Sequence, residues 1–192
     1  MINLKSLKNS IPLAVRLFLG KALLLFIAWK IIYGVFLYDS KILDYPLTIH
    51  VAEASTQLLN SLGGMSDFVS EREIYESVNL GEKTKNEASA IYHNDYRVLF
   101  IADSCNGLEL IALYIGFIIC MPCKFWRKIK YIILGIIILD VTNILRCVGL
   151  IYLREYFEVY FDFAHHYLFK ATVYTATFLM WMVYARKIQL NR

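Results

Sequence analysis

Several apolar runs are each long enough to cross a lipid bilayer, and nothing else in the sequence constrains the fold so strongly. A helix needs about 20 predominantly apolar residues, at ~1.5 Å rise each, to span the hydrocarbon core. Runs of this kind occupy roughly 15–38, 105–121, 129–153 and 165–184. With 58% of its 192 residues hydrophobic, the chain carries more apolar surface than a soluble domain of this size would need to bury. The expected fold class is therefore an all-α polytopic membrane protein with about four transmembrane helices. The first run ends in "GVFLYDS" without a small-residue cleavage motif, so it reads as a retained signal anchor.

Lysines and arginines set the expected orientation. Lys5, Lys8 and Arg16 precede or open the first run, Lys124, Arg127, Lys128 and Lys130 separate the second from the third, and Arg186, Lys187 and Arg192 end the chain. The positive-inside rule places these segments in the cytoplasm, with both termini, and puts residues 39–104 and the acidic "REYFEVYFD" turn outside. No repeat or Pro/Gly-rich linker divides residues 1–192, which are read as one integral membrane domain with an extracytoplasmic insertion at 39–104.

Within that insertion, Leu47, Val51, Ala54, Leu58 and Leu62 fall at helical spacing and predict an outer amphipathic helix lying on the membrane or packed against the protein. Short β-branched and aromatic runs, "REIYESVNL", "ASAIYHNDY" and "YRVLFIA", are broken by "GEKTKNE" and "HND" and predict a small β-hairpin leading into Cys105. The formal charge of +4 is accounted for by the cytoplasmic flanks, and no basic patch interleaved with aromatics points to nucleic acid. The partner that composition does imply is the bilayer.

Ionisable groups inside spans are costly, about 2.5–3.5 kcal/mol even on lenient insertion scales, and mark functional sites by default. Cys105 lies 17 residues from Pro122, and Arg146 lies 17 from Ile129. Both therefore sit roughly 25 Å above the inner boundary. His165, 21 residues from Arg186, comes out about one turn higher. Three spans thus present a thiol, a guanidinium and an imidazole near the outer face.

Each has a plain alternative. A buried cysteine is often a small hydrophobe, and an arginine can snorkel outward or pair with Glu109 or Asp140. Against the first alternative, Cys105 stands at a helix start beside Asn106 and Gly107, where free backbone N–H groups and the helix dipole favour a nearby negative charge. Asp140, Asn143 and Cys147 share one face of the third run, with Arg146 about 60° from Asn143. Of the adjacent His165 and His166, about 100° apart on a helix, one is expected to face the bundle. Cys120 and Cys123, in "CMPC", fall at the cytoplasmic edge, where thiols stay reduced. Lacking a second ligand pair, they read as structural, so neither a metal nor a cofactor is expected.

The boxes "SCNGLELIALYIGF", "NILR" and "FDFAHHYLF", in this order and at span ends, resemble those of the exosortase/archaeosortase family of membrane cysteine transpeptidase-like enzymes. Residues 96–185 carry nearly all of the resemblance. The wording is most similar to the compact exosortases of Bacteroidetes, including the exosortase F type. Larger members have more spans than are counted here, and Asn106 stands where Ser is more usual.

The resemblance implies Cys105 as nucleophile, with Arg146 and His165 completing a triad, His166 as the alternative histidine, and Asn143, Asn106 and Gly107 in support. It further implies secreted substrates with a C-terminal motif, an apolar helix and a basic tail, cleaved through a thioacyl intermediate at the outer face of the bacterial cytoplasmic membrane. Two other classes make different predictions. A quinone-linked thiol oxidoreductase predicts paired outer cysteines, whereas only Cys105 and Cys147 fall on that side. A non-enzymatic assembly subunit predicts that Cys105 can be replaced without loss. Oligomeric state is not legible in the sequence.

Overall fold

The structure is a computed structural model that describes residues 13–62, 66–79 and 82–189. Lys5, Lys8 and Arg192, which set part of the expected orientation, lie outside the described residues. Helix α1 runs from Leu13 to Ile32 and continues as a π-helical turn, Tyr33–Leu37. Helix α2 covers Asp44–Ser61, and strands β1 (Phe68–Asn79), β2 (Glu82–His93) and β3 (Tyr96–Ala102) follow. A 3₁₀ turn, Asp103–Cys105, leads into α3 (Leu108–Cys120), then α4 (Phe125–Tyr156) and the short α5 (Glu158–Phe163). A second π turn, Ala164–Leu168, opens α6 (Phe169–Gln189).

Helices thus form over all four predicted spans, yet they differ in their fitness to cross a bilayer. Among the described residues, α4 alone is long and apolar enough by length and composition. Its 32 residues reach about 48 Å, more than the ~30 Å hydrocarbon core requires. Helix α1 has the length but carries Arg16, Lys21 and Lys30. Helix α3 has only 13 residues, about 20 Å. It stops at Met121, whose extended backbone (ψ 135°) is what a following proline, Pro122, imposes.

The predicted hairpin is instead a three-stranded antiparallel meander in the order β1-β2-β3. Residues 82–87 of "GEKTKNE" lie within β2: Glu82 pairs with Asn79, and the ladder runs on to His93 opposite Phe68. Ladder pairing is a backbone property that side-chain polarity does not interrupt. The second turn was legible, because Asn94 and Asp95 both take positive φ (49° and 64°), the two-residue geometry that suits the twist of a hairpin.

Helix α2 buries a different face from the one its leucines predict. Asp44, Thr48, Val51, Ala52, Ser55, Thr56 and Leu59 are buried, whereas Leu62 is exposed. Small and polar residues let this face approach its neighbours closely and hydrogen-bond to them. Val51, Ala52 and Leu59 join Phe68, Ile91 and Ile101 of the sheet and Cys147 and Ile151 of α4 in one core cluster, against which Cys105 packs. A second cluster ties the helices together through Tyr114, Ile118, Leu139 and Tyr184. There Gly135 of α4 faces the Tyr114 ring so closely that an added Cβ would lie 2.0 Å from it, and the Tyr114 hydroxyl donates to the Tyr131 carbonyl at 2.9 Å.

Candidate active site

The cysteine is held from three directions. Strand β3 leads straight into the 3₁₀ turn that ends at Cys105, and Gly107, with φ of 87°, reverses the chain into α3. That left-handed conformation favours glycine, and Asn143 of α4 packs against the open side, 3.4 Å from where a Cβ would stand.

From α4, Asn143, 1% exposed, donates its amide to the Cys105 carbonyl at 3.2 Å. One turn further on, Arg146 Nη2 lies 3.8 Å from Cys105 Sγ, and its Nη1 reaches Asn143 Oδ1 at 3.5 Å. The two residues that depth alone made level are in contact. Arg146 pairs with neither Glu109 nor Asp140: Glu109 is held by Lys30, and Asp140 by His50 at 3.0 Å. A permanent positive charge therefore stands at the sulfur, where it stabilises negative charge on the thiol sulfur or on an oxygen developing beside it.

From α2 and the sheet comes a network that sequence reasoning missed. Asn106, 3% exposed, donates to Asp44 Oδ1 at 2.9 Å and to Thr48 Oγ1 at 3.3 Å, while its own Oδ1 accepts from the Leu108 N–H at 2.9 Å and so caps α3. Asp44 also accepts the Tyr33 hydroxyl at 2.8 Å. Asp103 accepts from Thr48 at 2.9 Å and from Arg72 at 3.3 Å, and Lys41 lies 3.1 Å away. Residues on both sides of Cys105 are thus tethered to α2. The only sequence signal was the polar crowding of "ADSCNG", since partners 31 to 62 positions away cannot be read from spacing.

The histidines sit in the π turn, a feature that often marks functional segments because the extra residue re-aims side chains. His165 is half-buried against Phe161, with ring centroids 5.6 Å apart. His166 is exposed, its Nδ1 3.0 Å from the Asp162 carbonyl. The fold therefore turns His165 inward and His166 outward. Among the described residues, no hydrogen bond joins His165 to Cys105.

Cys147, which shares a face with Asn143, is buried in the cluster that Cys105 joins. Cys120 and Cys123 are free thiols at the far end of α3.

A family model described as transmembrane exosortase matches residues 9–184. The chain belongs to the exosortase family. No curated protein and no solved structure matches it. Exosortases are membrane proteins, so the long apolar helix α4 is read as membrane-embedded, and membership gives the general class of activity, a membrane cysteine peptidase or transpeptidase. In this exosortase the site just described lies where the 3₁₀ turn meets the C-terminal half of α4.

Proposed function

We propose that the protein is a compact exosortase, of the type found in Bacteroidetes, that cleaves the C-terminal sorting signals of secreted proteins through a thioester on Cys105. The observation that carries this reading is the approach of Arg146 Nη2 to Cys105 Sγ, 3.8 Å, with Asn143 fixing the cysteine backbone. Helices α1, α3, α4 and α6 form a single membrane domain of four spans, the basic segments are cytoplasmic, and the cysteine faces the outside of the cytoplasmic membrane. Substrates arrive already in the bilayer, held by an apolar helix with a basic tail, and present a short motif just above it.

The Cys105 thiolate attacks the motif's carbonyl carbon, forming the C–S bond and placing negative charge on the carbonyl oxygen, which Arg146 stabilises. Collapse of this adduct breaks the C–N bond, and protonated His165 delivers its proton to the departing amine. The neutral imidazole then takes a proton from the acceptor, water or an amine, as it attacks the thioester and expels Cys105 as the thiolate, which restores the starting thiolate and imidazolium.

The test is made in the native host. Cys105→Ala and Cys105→Ser are expressed, membrane insertion is verified, and a secreted protein with the C-terminal signal is followed by immunoblot. The expected result is accumulation at the unprocessed size. Unchanged processing would make Cys105 structural and favour a non-enzymatic assembly role.

A further inference from the structure

Two cavities flank the cysteine turn. One, about 220 Å³, lies between the outer end of α1, with Trp29 and Lys30, and the first turn of α3, with Leu108 and Glu109. The other, about 210 Å³, lies against the sheet, between Lys41 and the side chains of Tyr75 and Glu87. Tyr33, Tyr38, Asp103 and Ser104 line both. Ser104 is thus common to both linings, and through its Oγ, 4.0 Å from Cys105 Sγ, each cavity borders the cysteine, which itself lines neither. Each alone falls below the ~300 Å³ at which ligand pockets begin, and joined they enter that range.

We propose that the two cavities form one cleft that binds the substrate as an extended peptide across Ser104. In it, the segment N-terminal to the scissile bond lies in the sheet-side chamber, and the segment leading into the apolar helix lies in the chamber between α1 and α3. The assignment rests on the transpeptidase reading above and adds to it the direction and the subsites.

Direction follows from what bounds each chamber. Trp29 lies within the first apolar run and Leu108 opens the helix of the second, so the first chamber is the one bordered by membrane-spanning segments. The second is walled by the strands of the insertion. A polypeptide passing from a secreted domain into a membrane helix must traverse the second before the first.

Each chamber also carries an ion pair suited to the alternating donors and acceptors of an extended backbone. Lys30 pairs with Glu109 in the first. Beside the second, Lys41 lies 3.1 Å from Asp103 with its ammonium 4.6 Å from the Tyr38 ring, and Arg72 holds Glu87 at 3.2 Å. The shared wall is aromatic, Tyr33 and Tyr38 meeting edge to face at 6.2 Å, and offers flat surfaces to side chains on either side of the scissile bond.

The experiment is site-specific photo-crosslinking in the full chain. A benzophenone amino acid replaces Trp29 or Tyr75 in a Cys105→Ala background, with Val159, 90% exposed on α5, as the outlying position. The probe is a secreted reporter fused to the C-terminal motif, apolar helix and basic tail of a host protein. Its processing by the unmodified enzyme, and the loss of processing in Cys105→Ala, are measured in parallel.

Crosslinks from Trp29 are expected to map C-terminal to the cleavage point and those from Tyr75 N-terminal to it. With processing dependent on Cys105, the reverse pattern, or crosslinks from Val159 alone, overturns the cleft. Processing that persists without Cys105 removes the transpeptidase reading and the subsites with it.

Discussion

Arg146 reaches two acceptors at once, Cys105 Sγ and Asn143 Oδ1, through separate guanidinium nitrogens. A lysine offers a point charge and no planar fork, so it can restore charge at the sulfur without holding both partners. Arg146→Ala is expected to lower processing by about 100-fold or more, the scale on which a charge-stabilising donor acts. Arg146→Lys should recover only part of that loss, and pulse-chase of the substrate in the native host measures both. The histidine pair separates on the same grounds of geometry. Because His165 is half-buried while His166 is exposed, His165→Ala should reduce processing by about 100-fold, a typical general acid–base contribution, and His166→Ala should leave most of it. Equal losses would show that the π turn re-orders on substrate binding. Asn106 acts through backbone placement: it supplies a hydrogen bond to the buried carboxylate of Asp44 and caps α3. Asn106→Ala leaves Asp44 with the Tyr33 hydroxyl as its remaining side-chain donor, and is expected to cost about 1–3 kcal/mol, read as a lower Tm in detergent micelles.

Among the elements, α3 and α4 depend on one another. Helix α3, with 13 residues, is the shortest of the proposed spans, and its Tyr114, 1% exposed, fills the hollow that Gly135 leaves on α4. A methyl at 135 would stand 2.0 Å from the Tyr114 ring, far inside contact distance, and both groups are flanked by packed side chains. Gly135→Ala is therefore expected to destabilise by about 1–3 kcal/mol, the usual cost of overpacking. Adding Tyr114→Leu should return part of it, and paired thermal melts of the single and double variants check the coupling. If the double variant is no more stable than Gly135→Ala, the two helices are not in the register described. Helix α2 shows a different principle. Its buried face is rich in hydroxyls and carries Asp44, so its packing against α4 and the cysteine turn is specified by hydrogen bonds to Asn106 and Asp103 as much as by apolar area.

At the scale of the whole molecule, the proposed arrangement sets the cysteine turn and the "CMPC" corner at opposite ends of α3, on opposite sides of the bilayer. A variant retaining Cys105 alone should react with a membrane-impermeant maleimide added outside intact spheroplasts, and one retaining Cys123 alone should react only after permeabilisation. Labelling of both from outside would refute the four-span orientation. The sequence by itself determined the membrane character, the places where helices form, and the boxes that hold Cys105, Arg146 and the histidines, because hydrophobic run length and the high cost of charge in hydrocarbon are local signals. It also brought Cys105 and Arg146 to one level, since helical rise converts a residue count into a depth. Only the tertiary structure decided that Glu109 and Asp140 go to Lys30 and His50, leaving Arg146 for the sulfur, and that His165 turns inward. It likewise decided that α2 buries its polar face and that three strands form where a hairpin was expected. These outcomes are choices among partners distant in the chain, and such choices are made by which surfaces meet on packing rather than by the spacing of residues along any one segment.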